Sequence, residues 1–328
     1  MQQSLIVGVD VSKLTLDIHI KPSGYWMQIP NQPKGFRLLL KELKRQMAAE
    51  MRVLVVMEHT GKYSWRLETF LRSRSIDYCK VPALEIKRSQ GMTRGKNDKV
   101  DAERIAVYGW LRRDELKADQ ALAEGVRELQ DLLRLRSKLV RQRSGYLCRL
   151  KEMKISGEDI RGFAGNMQRK LINMLTEHIC NVEKQIRDVI GANSGIQKTC
   201  ELLRSIKGVG LIVAASMISC TNNFSRFENA RKFNCYAGLA PFDHQSGTSI
   251  RGKSRVSPLA NKHVKTLLTL AASTAIQHDM ELKNYYKKRV AEGKTKMNSL
   301  NVVRTKLVAR MFAVIKRQSP YQAIVQAA

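Results

Sequence analysis

Two continuous apolar runs in the first sixty residues each stop at a carboxylate. "LIVGV" (5–9) leads into Asp10, and "RVLVVM" (52–57) leads into Glu58. Short unbroken apolar runs bounded by turn residues read as buried strands, so both acids fall at strand tips. Between them, "LTLDIHI" (14–20) alternates with period two and predicts a half-exposed neighbouring strand, while "YWMQIP" (25–30) predicts the third strand of a meander. After a turn at "NQPKG", residues 36–48 take helical spacing, with Leu38, Leu39, Leu40 and Leu43 expected inward and Lys41, Lys44 and Arg45 outward. A helix over 63–73, the strand "YCKVP" and a further helix follow Glu58.

Three antiparallel strands followed by alternating helix and strand is the order of a ribonuclease H-like α/β domain. From Lys99, the positions Ile105, Val107, Tyr108 and Leu111 set a helical pattern. Asp98 and Asp101, three apart at its first turn, fall on one face.

The middle of the chain changes period. Leu132, Leu139, Tyr146 and Met153 recur every seven residues, with Leu133, Val140 and Leu147 beside them. After a break near Gly157 and Gly162, Ile172, Leu175, Ile179, Val182, Ile186 and Val189 alternate by three and four. This predicts a helical hairpin or coiled coil that either dimerises, spaces two domains or packs within the chain. Gly191 to Gly195 ends it. Residues 200–220 then predict a helix, the tight turn "KGVG" and another helix, a helix-hairpin-helix whose turn amides suit a DNA phosphate. "HQSGTSIRGKSRVS" (244–257) reads as a polar, basic loop, before a helix over 258–279 and a last basic helix after Lys294.

Charge narrows the partner. The 328 residues carry a net charge of +29, and residues 201–328 hold 21 basic against 6 acidic side chains. Such an excess indicates an anionic polymer. The six cysteines show no CxxC spacing, which argues against zinc or a disulfide framework and for reduced, mostly core residues. No apolar run approaches a membrane span and the N-terminal run is short for a signal peptide, so a cytoplasmic location is expected.

Asp10, Glu58, Asp98 and Asp101 together form a set of hard oxygen donors suited to Mg2+ beside a scissile phosphate. Singly, each is an ordinary turn or cap residue; Asp98 alone reads as a helix N-cap. In the "SGTSIRG" stretch, Ser246 and Ser249 stand near Arg251, Lys253 and Arg255. A serine hydroxyl attacks phosphorus once cations neutralise the phosphate, with His244 as a candidate base. The plainer alternative is a phosphate-binding loop.

The motifs "GVDVSK", "EHTGKY" and "KNDKVDA", followed by "IKGVG", "FNCYAGLAPF" and "SGTSIRGKSRVS", resemble the DEDD/serine transposases of insertion-sequence family one-hundred-ten, with its Piv-like invertases and bridge-RNA-guided recombinases. The resemblance implies an α/β RuvC-like domain over 1–120, a helical coiled-coil segment over 121–197, and a mainly α-helical C-terminal transposase domain over 198–328. It also implies Mg2+ on the four acids and a covalent link through Ser246, a choice over Ser249 that rests on the resemblance. Expected partners are donor and target DNA, a structured non-coding guide RNA as in some members, and further copies of the chain, a dimer assembling to a tetramer with composite sites in the bacterial nucleoid. Arg94, Lys96, Lys207, Arg251, Lys253, Arg255 and Lys262 are the candidate nucleic-acid contacts. Two departures stand out, Lys207 where proline is frequent and Ala260 where glycine is common. The alternative function is a RuvC-like structure-specific (Holliday junction) endonuclease; the third reading, an actin-like ATPase, lacks its glycine-rich phosphate loops here, and a pure RNA-binding module is a further, minor one.

Overall fold

Each apolar run of the first 121 residues becomes a strand of one sheet. In the computed structural model, which describes residues 4–47, 51–59, 61–89, 91, 97–246 and 250–322, strands β1 (Ser4–Val11), β2 (Thr15–Lys21) and β3 (Tyr25–Pro30) form an antiparallel meander. Helix α1 (Pro33–Gln46) follows. β4 (Arg52–Glu58) then pairs in parallel with β1 and, across helix α2 (Trp65–Ser73), β5 (Asp77–Val81) pairs in parallel with β4. The strand order is β3-β2-β1-β4-β5. Helices α3 (Ala83–Ser89) and α4 (Asp98–Leu111) complete this unit, residues 1–121.

The pleat sorts side chains by parity. Leu5, Val7, Val9 and Val11 pack with Leu16, Ile18 and Ile20 of β2, Phe36, Leu39 and Leu43 of α1, and Leu67 and Leu71 of α2. Ile6, Leu54, Val56, Cys79 and Val81 face the other way, onto Ile86 of α3 and Ile105 and Tyr108 of α4. Two expectations fail here. In α1, Leu38 is exposed and Leu40 only half-buried, because Phe36 takes the inward place that completes the 36/39/43 stripe. β2 is buried on both faces rather than half-exposed, since its polar side, Asp17 and His19, lies among the residues covered on the α4 side of the sheet.

Glycine 8 sets how close α4 comes. A Cβ there would collide with the backbone N of Ala106 and O of Ala102, while one at Gly109 would press on Val56 and Ile6. The obstacle at Gly8 is main chain, which cannot yield by rotating a side chain. Gly8→Ala is therefore expected to destabilise the protein by about 3 kcal/mol, the upper end of ordinary overpacking; a chemical denaturation midpoint equal to wild type would refute this.

The second unit, residues 122–328, is mostly helical. α5 (Val126–Ser156) and α6 (Phe163–Gly191) form a long hairpin, each arm about 45 Å at the usual helical rise. Its root joins one core with α7 (Ser194–Arg204), α8 (Leu211–Thr221), α9 (Ala230–Tyr236), α10 (Lys262–His278), α11 (Met280–Ala291) and α12 (Lys296–Arg317). Along the seven-residue columns Leu133 and Met153 are buried, whereas Tyr146 and Leu147 are exposed. The polar stretch expected as a loop is instead a two-stranded antiparallel hairpin, β6 (Pro241–Ser246) and β7 (Ile250–Val256). The short α9 and the separate α11 were not anticipated, and α10 starts at Lys262, later than the expected 258. The cysteines divide: Cys79 and Cys200 are buried, Cys148 and Cys180 exposed, so "mostly core" was too broad. Among the described residues no helix is long and apolar enough to cross a membrane.

Candidate active site

β1 and β4 run in parallel with Gly8 beside Val56 and Val9 beside Met57, so one further step along each strand brings Asp10 level with Glu58. By parity both acids lie on the α4 face of the sheet. α4 runs back along β1, with Ala102 and Ala106 over Gly8 and Gly109 over Ile6 and Val56. Its first turn, carrying Asp98 and Asp101, therefore points toward the strand tips. Asp98 is not the cap: Asn97 precedes the helix in extended conformation, and its side chain accepts a hydrogen bond from Lys99 N at 3.1 Å. The cap role that competed for Asp98 is thus filled by its neighbour.

The field at Asp10 reports the same convergence. Burial first, and then the charges of Asp98, Asp101, Glu58 and Asp17 in that order, together raise its pKa from the ordinary 3.8 to about 6. Asp101 is partly compensated by Arg104, whose Nη1 lies 3.0 Å from its Oδ1. Asp17 was missed by the sequence reading. It pairs directly with Asp10 across β1 and β2, is 3% exposed, and accepts from Gln28 Nε2 at 3.1 and 3.3 Å. Its place in an alternating strand made it look like a solvent-facing residue; only the cover of α4 distinguishes it.

Among the described residues no three Asp, Glu, His or Cys side chains stand close enough to hold a metal ion by themselves. The donor set nevertheless fits Mg2+: all four groups are carboxylates, the other three each raise the proton affinity of Asp10, and Mg2+ keeps several waters and uses one or two carboxylates plus substrate phosphates rather than an all-protein cage.

The second unit carries the serine. Ser246 is the last residue of β6 and pairs with Ile250, Gln245 pairs with Arg251, His244 with Gly252 and Phe242 with Arg255. Lys253 lies in β7, and Ser249, Arg94 and Lys96 lie outside the described residues. Arg255, Lys262 and Lys207 are exposed. Lys262 opens α10, capped by the Asn261 side chain, which accepts from Val264 N at 3.2 Å and donates to the Tyr236 hydroxyl at 2.7 Å. Ala260 is accommodated because Gly238, at φ +65°, has no Cβ to strike it. Lys207 begins the "KGVG" turn, where Gly208 at φ +93° lets α10 approach at Ala271 and Ala275.

Two family models match the chain. One described as a DEDD transposase of the IS110 type covers residues 7–153, and one described as the IS116/IS110/IS902 transposase family covers residues 200–287. The chain is similar to the pilin gene-inverting protein of Moraxella bovis, 24% identical over 321 residues, covering 96% of this chain and 97% of that protein. It is also similar to a putative transposase, y4qE, of Sinorhizobium fredii, 24% identical over 82% of this chain and 71% of that protein. The transposase of insertion element IS1111A from Coxiella burnetii is 23% identical over 69% of this chain and 68% of that protein. One model begins in β1 and takes in all four acids, and the other runs from α7 through the serine hairpin into α11; the chain belongs to the IS110/IS116/IS902 family of transposases, enzymes of DNA recombination.

Proposed function

We propose that this transposase cuts and rejoins DNA strands with a serine nucleophile, Ser246, acting beside a Mg2+ site formed by Asp10, Glu58, Asp98 and Asp101. The observation that carries this is the gathering of acids from two strand tips and one helix turn on a single face, where burial first and then the neighbouring carboxylates hold Asp10 near pKa 6. The strand order β3-β2-β1-β4-β5 supports a RuvC-like reading of that domain. Bound Mg2+ would neutralise the phosphate and lower the barrier to attack at phosphorus. The acids orient it, and Ser246 Oγ forms the new P–O bond while the bond to the leaving sugar oxygen breaks and that oxygen takes up a proton. Because the phosphodiester energy is retained in the phosphoserine, a second strand's hydroxyl reverses the step and joins it.

In this scheme 1–120 supplies the acids, 121–197 the coiled-coil dimerisation hairpin, and 198–328 the serine, with "KGVG" presenting turn amides as a helix-hairpin-helix. Acids of one copy meet the serine of another in a tetramer, and a structured non-coding RNA pairs with donor and target DNA. Arg94, Lys96, Lys207, Arg251, Lys253, Arg255 and Lys262 contact the nucleic acid in the bacterial cytoplasm. If six to ten phosphates are neutralised, duplex affinity should fall about a thousandfold or more between roughly 50 and 200 mM salt; a flat salt dependence in fluorescence anisotropy would exclude the DNA partner. The reaction itself is tested by trapping a covalent protein–DNA adduct on a denaturing gel.

A further inference from the structure

The second unit contains a buried cation that the reaction scheme does not use. Arg304, in the middle of α12, is 3% exposed. Its Nη1 donates to Asn301 Oδ1 at 3.1 Å and its Nη2 to the Met297 sulfur at 3.2 Å, both neutral acceptors, and its Nε is buried without any hydrogen-bond partner. Among the residues whose side chains are described, no carboxylate pairs with it. The acids of this region are engaged elsewhere: Asp279 and Glu281 both bind Arg310, and Glu228 binds Lys232.

A second cation stands beside it. Lys265 of α10 is partly buried, and both burial and the charge of Arg304 lower its pKa. A buried guanidinium beside a partly buried ammonium, with no counterion among the described side chains, is costly, because hydration is lost and no attraction is gained. Such an arrangement persists where an anion completes it from outside the chain.

The location indicates which anion. Asn301, the acceptor for Arg304, donates its Nδ2 to the carbonyl of Leu239 at 2.9 Å, two residues before the serine hairpin begins. The Lys265 stem lies over Gly238, within 4.0 Å of where a Cβ would stand. Both cations therefore sit at the root of β6 and β7.

We propose that Lys265, backed by the buried Arg304, binds a backbone phosphate of the DNA strand that runs to the serine hairpin. This rests on the recombinase reading. Lys265 makes the contact, and Arg304 acts through it as a fixed charge screened from water. Neither residue stood out in sequence, where Arg304 is one of six Lys and Arg on α12 and Lys265 follows Lys262 on α10.

The test compares full-length wild type with Arg304→Met and Lys265→Met, using thermal shift with inorganic phosphate and anisotropy with a duplex oligonucleotide over a range of salt. Arg304→Met, which removes an uncompensated charge at similar volume, is expected to melt no lower than wild type without anion and to lose the phosphate-induced rise in Tm. Both variants should bind duplex about tenfold more weakly at roughly 0.1 M salt, with a log–log salt slope smaller by about one. An Arg304→Met protein that unfolds, together with a Lys265→Met protein that keeps the wild-type phosphate response and salt slope, would overturn the proposal and make Arg304 a packing residue. Preferential competition by single-stranded RNA, abolished in Lys265→Met, would overturn the assignment to DNA. Weak, salt-insensitive duplex binding by wild type would instead fail the recombinase reading, and the phosphate response would still judge the cation pair.

Discussion

Asp10→Asn abolishes strand transfer and at the same time raises the melting temperature of the metal-free protein. The second half of that expectation follows from linkage. With a folded pKa of about 6 against 3.8 unfolded, the native state binds the Asp10 proton more tightly than the unfolded chain does. The carboxylate therefore costs no stability below about pH 4, costs progressively more as pH rises through 6, and carries its full penalty above. The nominal shift is cut down because Asp10 is only half-buried and partly screened, leaving on the order of 1 kcal/mol at pH 7.5. For a unit of this size that is a rise of about 4 °C in Tm. The neutral amide has no such pH dependence, so the wild-type and variant curves should converge near pH 4. Mg2+ should stabilise wild type and leave the variant unchanged, and the wild-type response should fade as pH falls through 6, where protons compete for the ligand. A variant that melts well below wild type at every pH would make Asp10 structural.

Ser246→Ala should eliminate the covalent adduct and lower recombination on the order of a thousandfold or more, while duplex binding and the Mg2+ response of the acid domain remain. The paired control is Ser249→Ala. If that variant alone loses the adduct, the nucleophile is Ser249. If both variants cleave DNA at the wild-type rate, the acids act on water and the chain is a structure-specific nuclease. Quantifying adduct and free cleaved ends in one reaction separates these cases, because a hydrolase releases ends without ever holding them.

The strands of the first unit were legible because burial on both faces leaves an uninterrupted apolar run, as in "LIVGV" and "RVLVVM". The acids at their tips were legible for the same reason: a carboxylate that ends such a run has few structural uses. Asp17 and His19 were not, since alternation in β2 normally marks a wet face, and the helix that covers them comes some eighty residues later. β6 and β7 were hidden because "DHQS" and "IRGKSRV" carry little of the apolar alternation that marks a strand; their pairing is held by backbone hydrogen bonds, which side-chain pattern does not report. α11 was missed because only Leu282 of its twelve residues is buried, leaving no stripe to read.

The bare main-chain contact between α4 and β1 has a further bearing on catalysis. At Gly8, Ala102 and Ala106 no long side chain separates helix from strand to change rotamer or creep under strain. That main-chain contact holds the spacing between the helix-borne Asp98 and Asp101 and the strand-borne Asp10 and Glu58, and on the proposed metal reading this spacing is what must stay within the half-ångström or so that a reacting centre demands. Divergence elsewhere in the domain can reshape its periphery freely without detuning the gap in which the proposed ion would sit.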